Sequence, residues 1–557
     1  MSHADVAAPP PPAVAAQTRM VEALLRDPAC YPHAVDAVEH LETHISHVLL
    51  AGGFAYKLKK PLALGFLDYR SLAQRRFYCE EELRLNRRLA PQLYLDVLPI
   101  GGSIAAPRIG ADGGAVIDYV VRMRRFPQEA LFDRLARDGA LDVRHVAALA
   151  AAVARFHAAC ARADVDADAA ADWGSATHIA APMRQNFAQL RPLLDAAGEL
   201  AELERIEQWS CQAHARLATT FEARRRDGRV RECHGDLHLG NVVWLDDTAL
   251  PFDGIEFNPE LRWIDVVSEI AFMVMDLHAH GLAPLAQRFL NDWLEHSGDF
   301  AGLALLDYYL VYRAMVRAKI ARMRAAQPDI GATARQQALA DYRLYIELAQ
   351  RFCLPRSPAL IVMHGRSGSG KSVLAGAICA EIGAIRVRSD VERKRLHGLA
   401  PLARSASTTG GGIYDAATTQ ATYAELARLA GVILDAGRTA VIDAAFLKRD
   451  ERDLLRAVAA RHAVPLLLIA CTADEATLAQ RVTARQHAAS DASEADLQVL
   501  KMQAGWQEAL DEAAGADEHR LSIDTACLSS ADAVARVSAA LASQGAGQRQ
   551  NLDADRR

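Results

Sequence analysis

At 557 residues the chain exceeds what one hydrophobic core organises, so at least two domains are expected. A formal net charge of −6 is small for that length and argues against recognition by bulk charge; neither nucleic acid nor a membrane is an expected partner. Nine scattered cysteines, odd in number and never in a CxxC arrangement, argue against a disulfide framework and read as reduced thiols of a cytoplasmic protein.

The opening MSHADVAAPPPPAVAAQTR breaks any apolar run with four consecutive prolines, which argues against a signal peptide or a membrane span. Residues 1–18 are expected to be disordered, as is the tail 543–557, which has little to bury. No other stretch reaches the roughly 18 uninterrupted apolar residues that a bilayer span needs. ISHVLLAGGFAYKLK, from Ile45 to Lys59, gives two β-prone runs about Ala51-Gly52-Gly53, a hairpin. SLAQRRFYCEEELRLNRRLAP then predicts a helix with Ser71 as N-cap, apolar contacts at Phe77, Leu83, Leu85 and Leu89, and an end before Pro91. LYLDVLPI and AVIDYVVRMRRF add strands, so the first 126 residues read as a sheet-rich lobe with one principal helix. From about Gln128 to Phe352 the pattern is helical, alanine-rich between Leu141 and Ala163, except over 228–265.

That interruption contains CHGDLHLGNVVW (233–244). His234, Asp236 and His238 are ligand types that suit zinc or iron, but no further histidine or cysteine follows at coherent spacing. A phosphotransferase loop fits better. Protein kinases carry an aspartate as base and, five residues later, an asparagine on magnesium, and Asp236 and Asn241 stand five apart. Asp253 follows in FDGIEF, where a kinase keeps its second metal aspartate; Lys57 in AYK fits the kinase lysine, and Glu82 can pair with it. In this reading the two histidines are mostly structural.

The form HGDLHLGN resembles the aminoglycoside phosphotransferase and choline-kinase-like family, over about residues 40–350. The resemblance implies Asp236 as base, Asn241 and Asp253 as magnesium ligands, Lys57 as the phosphate-binding lysine and Glu82 as its partner. It also implies that Asp265 braces the catalytic loop and that Met123, between Arg122 and Arg124, lies at an adenine-contacting hinge. The sequence departs from the kinase pattern in having no G-x-G-x-x-G loop, since Ala51-Gly52-Gly53 is only a hairpin turn. Arg313, Arg317 and Arg324, with Lys319 and Arg322 nearby, recur at helical spacing in YRAMVRAKIARMR. They read either as a solvated helix face or as the wall of a cleft for an anionic acceptor.

PRSP (355–358) marks a break, and a linker is expected over 351–358. Beyond it ALIVMH, TAVIDAAF and VPLLLIACT are short apolar runs alternating with helical stretches, the signature of a parallel sheet. GRSGSGKS, comprising Gly365, Arg366, Ser367, Gly368, Ser369, Gly370, Lys371 and Ser372, fits G-x-x-x-x-G-K-[ST] between strand and helix. Its glycines let backbone N–H groups close on phosphate, Lys371 reaches the terminal phosphates, and Ser372 ligates magnesium. Asp390 in SDVERK is placed to accept a proton from an acceptor hydroxyl, with Arg393 steering an anionic group. Asp443 ends a strand where a carboxylate holds magnesium, and Arg481 and Arg485, four apart, could close over the phosphates as a lid.

This half resembles the small P-loop kinases, a group that includes polynucleotide 5′-kinases, gluconate-type kinases and zeta-toxin-like enzymes. GRSGSGKS, SDVERK, VIDAAF and RVTAR carry the resemblance over roughly 359–541, and it implies ATP and a phosphoryl acceptor. The whole chain is thus expected to combine α+β and α/β folds: a bilobal protein-kinase-like domain at 40–350 and a parallel-sheet P-loop NTPase domain at 359–541. The expected activity is bifunctional, with ATP and Mg2+ serving both sites and small-molecule hydroxyl acceptors. Two rivals remain: a silent kinase-like recognition domain coupled to a P-loop ATPase switch, and polynucleotide 5′-kinase-like end repair. The sequence leaves the acceptors and the oligomeric state open.

Overall fold

The computed structural model describes residues 12–64, 67–111, 114–163, 172–328, 330–405, 407, 411–488, 491–510 and 518–554. The chain divides into two compact units, one of Met1–Leu141, Phe156–Ile179 and Phe221–Met273, the other of Asp142–Arg155, Ala180–Thr220 and Val274–Arg557. No division falls at the expected linker 351–358, which follows the helix Ala332–Phe352 inside the second unit.

In the first unit six strands form an antiparallel sheet in the order Val38–Glu42, Ser46–Ala51, Phe54–Lys59, Asp118–Arg124, Tyr94–Ser103, Ala106–Ile109. Period-two alternation buries both faces. Leu49, Tyr56, Leu58 and Val120 face one cluster, and Leu50, Ala55, Val121 and Met123 face the other. The first cluster is closed by Met20, Val21 and Leu24 of the helix Pro12–Arg26, so residues 12–18 are helical rather than disordered. Proline at the first helical position forfeits no intrahelical hydrogen bond, and an apolar stripe at helical spacing supplies the burial. Residues 1–11 lie outside the described residues, as do 555–557, while helix Ser530–Ala554 runs through most of the expected frayed tail. No proline follows Pro465 to stop it.

The predicted helix after Ser71 spans Leu72–Asn86 and opens with a capping box between Ser71 and Gln74. Phe77 does not pack inward, being 57% exposed; Cys79, Glu82 and Leu85 are the buried side instead. The 228–265 interruption forms two small antiparallel pairs, Val230–Glu232 with Trp263–Asp265 and Val242–Leu245 with Thr248–Pro251.

The second unit contains a five-stranded parallel sheet in the order Ile385–Arg388, Ala440–Asp443, Leu360–His364, Leu466–Thr472, Glu518–Asp524. Its edge strand is covered by the helix Ala283–Ser297. Gln287 and Asn291 both donate to the Ala384 carbonyl, at 2.7 and 3.1 Å, and Asn291 Oδ1 accepts the Arg386 N–H at 2.7 Å. These bonds satisfy backbone groups that an open edge would leave unpaired.

Candidate active sites

The first site is assembled wholly within the first unit. Lys57, on the strand Phe54–Lys59, donates to Glu82 Oε1 at 2.8 Å and also pairs with Asp253. Burial opposes its charge, but Asp253 and Glu82 outweigh burial and raise its pKa above the ordinary lysine value. Lys59, two residues on and therefore on the same strand face, donates to Glu82 Oε2 at 2.7 Å and pairs with Glu256, which also accepts from Tyr69 at 2.6 Å. Sequence reading finds Lys57, Glu82 and Asp253 but misses this second ion pair; the K-x-K spacing was its only signal.

Asp236 is tied to Asn241, whose Nδ2 donates to the Asp236 carbonyl at 3.0 Å and to its carboxylate at 3.1 Å. With its amide nitrogen so used, Asn241 keeps its side-chain oxygen as the end able to ligate a cation. Gly235 has φ +87°, and a Cβ there would lie 2.8 Å from the Leu261 carbonyl, so the loop demands glycine. His234 Nε2 bonds the Phe252 carbonyl at 2.8 Å, and Phe252 N–H reaches the Asn241 carbonyl at 2.9 Å. These two bonds join the loop that carries Asp236 to the segment that carries Asp253. His238 accepts from Gly240 N–H at 3.1 Å and stands 3.5 Å from the Asp236 carboxylate. Each histidine thus bonds the loop backbone, and His238 also lies beside the Asp236 carboxylate.

Bracing of the loop differs from the expectation. Asp265 is engaged by Arg224, at 2.6 and 2.9 Å, and by Val267 N–H. The loop amides of His234 and Gly235 go to Glu269 Oε2, at 2.7 and 2.8 Å, while His157 meets Glu269 Oε1 at 3.0 Å. Glu269 lies in the first turn of helix Val266–Ala279, four residues past Asp265, and reaches the loop while Asp265 is held by Arg224. Met123 is buried at 6% exposure in the sheet core, between Arg122, paired with Asp96 at 2.6 Å, and the exposed Arg124. Its side chain packs in the core, so any hinge contact falls to its backbone.

The second site lies at the carboxyl ends of the parallel strands. The P-loop connects Leu360–His364 to the helix Lys371–Ile382, and Gly365, Gly368 and Gly370 have φ of +140°, +82° and +81°. A Cβ on Gly365 would meet the Cys471 carbonyl at 2.4 Å, and one on Gly368 the Leu478 carbonyl at 2.6 Å. Lys371 Nζ donates to the Arg366 carbonyl at 2.8 Å; burial lowers its pKa, and Asp443 opposes that shift. Arg366 pairs with Glu475, and Ser367 N–H donates to Gln503 at 2.7 Å. Ser369 is buried, and Ser372 sits in the first turn of the helix.

One cavity of about 1390 Å³ is lined by Lys371, Ser372, Asp390, Arg393, Asp443 and Arg485, among others. Asp443 is buried and its Oδ2 has no hydrogen-bond partner among the described residues, which fits a carboxylate that receives a cation or its water. Arg393, 7% exposed, donates to the Ile413 carbonyl at 3.0 Å and to Thr419 at 3.1 Å, lies over the Tyr414 ring, and leaves Nε unpartnered. The lid expectation changes for Arg481. It donates to Thr525 at 2.8 and 3.0 Å and to the Gly368 carbonyl at 3.3 Å, so it braces the P-loop from helix Glu475–Ala488. Arg485 donates to the Ala495 carbonyl at 2.9 Å and lines the cavity.

On the helix Leu303–Ala325 the arginine stripe is largely engaged. Arg317 donates to Tyr345 at 3.2 Å, and Arg322 donates to the Leu193 carbonyl at 2.9 Å while lying over the Tyr342 ring; Arg324 is exposed.

Residues 71–306 match the model of the phosphotransferase enzyme family, and residues 360–510 match that of an AAA domain. The chain joins a phosphotransferase-family segment to a P-loop kinase segment. Its fold class is accordingly the protein-kinase-like fold followed by the parallel-sheet P-loop fold, and its coarse activity is phosphoryl transfer by nucleotide-binding domains. Uncharacterized proteins of Mycobacterium tuberculosis and Mycobacterium bovis are 29% identical over 490 residues, 86% of this chain and 93% of theirs. Among solved structures, a gluconokinase from Sinorhizobium meliloti is 23% identical and covers 36% of this chain and 99% of its own, with a TM-score of 0.25. A choline/ethanolamine kinase family protein from Mesorhizobium loti is 11% identical and covers 60% and 99%, with a TM-score of 0.35. Among the described residues, no helix is long and apolar enough to cross a membrane.

Proposed function

We propose that the protein is a bifunctional ATP-dependent phosphotransferase, with one hydroxyl-phosphorylating site in each unit and Asp236 and Asp390 as the respective bases. The observation that carries the reading is the separateness of the two constellations. Lys57, Glu82, Asp236, Asn241 and Asp253 belong to one unit, and Lys371, Ser372, Asp390 and Asp443 line a cavity in the other. Asn241 and Asp253 would hold magnesium at the first site, Ser372 and Asp443 at the second. Bound there, the metal neutralises charge on the transferring phosphoryl group. Lys57 and Lys371 orient phosphate oxygens, and each aspartate takes the proton of an acceptor hydroxyl as it attacks.

Arg393 supports an anionic acceptor at the P-loop site. Among the described residues this guanidinium, buried to 7% exposure, has no carboxylate partner within 4 Å; a carboxylate or phosphate on the acceptor would supply the counter-charge. Asp390 lines the same cavity. The test is an acceptor screen following loss of γ-phosphate from ATP, with wild type beside Asp236→Ala and Asp390→Ala. Two acceptor sets, each lost in one variant, are expected. Activities unaffected by Asp236→Ala but abolished by Lys371→Ala would instead make the first unit a silent recognition domain.

A further inference from the structure

Arg388 and Asp443 are direct partners in the register of the two parallel strands Ile385–Arg388 and Ala440–Asp443. Neighbours in register project to the same face of a sheet, and an arginine beside a buried carboxylate ordinarily closes on it at about 2.8 Å. Here Arg388 Nε stays 3.9 Å from Asp443 Oδ2, and that oxygen has no hydrogen bond among the described residues. The guanidinium is drawn the other way: Nη1 donates to Glu295 at 3.1 Å, and Nη2 donates to both oxygens of Asp491 at 3.0 Å. Glu295 also accepts from Arg386 at 3.2 Å, and its carbonyl accepts from Arg395 at 2.6 Å. Its position on the sheet edge is fixed further by Asn291 and Gln287, which lie one and two turns earlier on the same helix.

We infer that Glu295, which lies in the phosphotransferase-family segment, is a positioning residue for the P-loop site: it holds Arg388 off Asp443 and so keeps that carboxylate free for a cation. Glu295 does not line the cavity, whereas Arg388 and Asp443 both do. Once the Glu295 charge is removed, the nearest carboxylate not already bonded to the Arg388 fork is Asp443. An Arg388–Asp443 pair would occupy the oxygen a cation needs and place a positive charge beside it. The fusion of the two segments then has a chemical consequence, because a helix from one segment sets the carboxylate of the other.

The inference rests on the nucleotide reading of the P-loop proposed above, and the experiment separates the two. In the full-length protein, binding of a fluorescent ATP analogue is titrated with Mg2+, and the Lys371-dependent component is taken as the difference from Lys371→Ala. Glu295→Gln is expected to raise the Mg2+ concentration for half-maximal effect about tenfold. Nucleotide affinity in EDTA should be unchanged, and Glu295→Asp should stay near wild type. Glu295→Gln combined with Arg388→Gln should return the Mg2+ requirement toward wild type, since the competing guanidinium is gone; a merely structural role gives no such rescue. If Glu295→Gln does not fold, Asp491→Asn removes the other anchor of the fork and should produce the same displacement. An unchanged Mg2+ requirement in the single variant, or no rescue in the double variant, overturns the inference alone. Absence of any Lys371-dependent nucleotide binding in the wild type overturns both readings.

Discussion

Glu269 accepts the backbone N–H of His234 at 2.7 Å, and through that bond a buried carboxylate on a neighbouring helix sets the backbone of the loop that carries Asp236. Gly235 N–H shares the same oxygen at 2.8 Å, so one side chain satisfies two buried donors. Glu269→Ala removes a carboxylate that both amides and His157 meet, a loss of roughly 3–5 kcal/mol for a buried charged partner. Phosphoryl transfer lost in Asp236→Ala should fall at least tenfold in Glu269→Ala. Asp265→Asn should lower the melting temperature through Arg224 and spare most of the turnover that remains folded. Paired melting curves and initial rates check both outcomes.

The two lysines of the first site should separate function from stability. Lys57 has 12% of its side chain exposed, whereas Lys59 is fully buried between Glu82 and Glu256. Lys57→Met is expected to abolish transfer at this site with a modest change in melting temperature. Lys59→Met leaves Glu82 with Lys57 but Glu256 with the Tyr69 hydroxyl in place of a cation, and should cost roughly 3–5 kcal/mol of stability. Denaturant titration of the nucleotide-free protein distinguishes them, and equal destabilisation by the two variants would contradict the assignment.

At the P-loop, Gly368→Ala drives a Cβ to 2.6 Å from the Leu478 carbonyl, at a φ of +82°. Backbone cannot yield as a flexible side chain does, so the loop must open and the Lys371-dependent nucleotide binding should disappear. Arg481→Ala should act in the same direction but more weakly, raising the nucleotide dissociation constant several-fold, because Arg481 holds Gly368 and Thr525 from outside the loop. Calorimetric titration with a non-hydrolysable ATP analogue measures both, and the wild type is expected to bind two per chain.

Two imidazoles make stability depend on pH. Burial is the first cause that pushes His47 and His278 down to about 4, with Lys60 adding at the former and Arg351 at the latter. The unfolded chain protonates these groups near ~6.5 and the folded chain only near 4, so the unfolded state binds more protons between those values. Stability should therefore rise with pH across that window and be lost as pH falls through it. Glu82 works lower down: burial raises its pKa, but Lys57 and Lys59 outweigh burial and bring it to about 2. Its contribution is complete above the ordinary glutamate range and is lost only as pH falls through about 2. Denaturation midpoints between pH 4 and 7 should fall steadily with acid, and His278→Gln should flatten part of that slope.

Much of the chemistry was legible along the chain because it is encoded in short spacings. GRSGSGKS names its own backbone geometry, since three of its positions take φ values that only glycine adopts freely. Asp236 and Asn241, five apart, needed only the loop between them, and Asp253 follows just past the short antiparallel pair Val242–Leu245 and Thr248–Pro251. The capping box at Ser71 and the apolar strand runs were similarly local. Residues 12–18 were misread because four prolines mask the apolar stripe that follows them, and Phe77 because helix periodicity alone does not say which stripe meets the sheet.

The sequence by itself determined the two folds and the P-loop, because each depends on backbone conformations and periodicities fixed within a few residues. Only the tertiary structure decided which carboxylate holds which partner. Asp265 and Glu269 are one helical turn apart, yet one takes Arg224 and the other the catalytic loop. Arg481 braces rather than closes, and Glu295 reaches Arg388, at the end of a strand of the parallel sheet 93 residues away. Those choices depend on which side chains packing brings within about 3 Å, a distance to which spacing along the chain is blind.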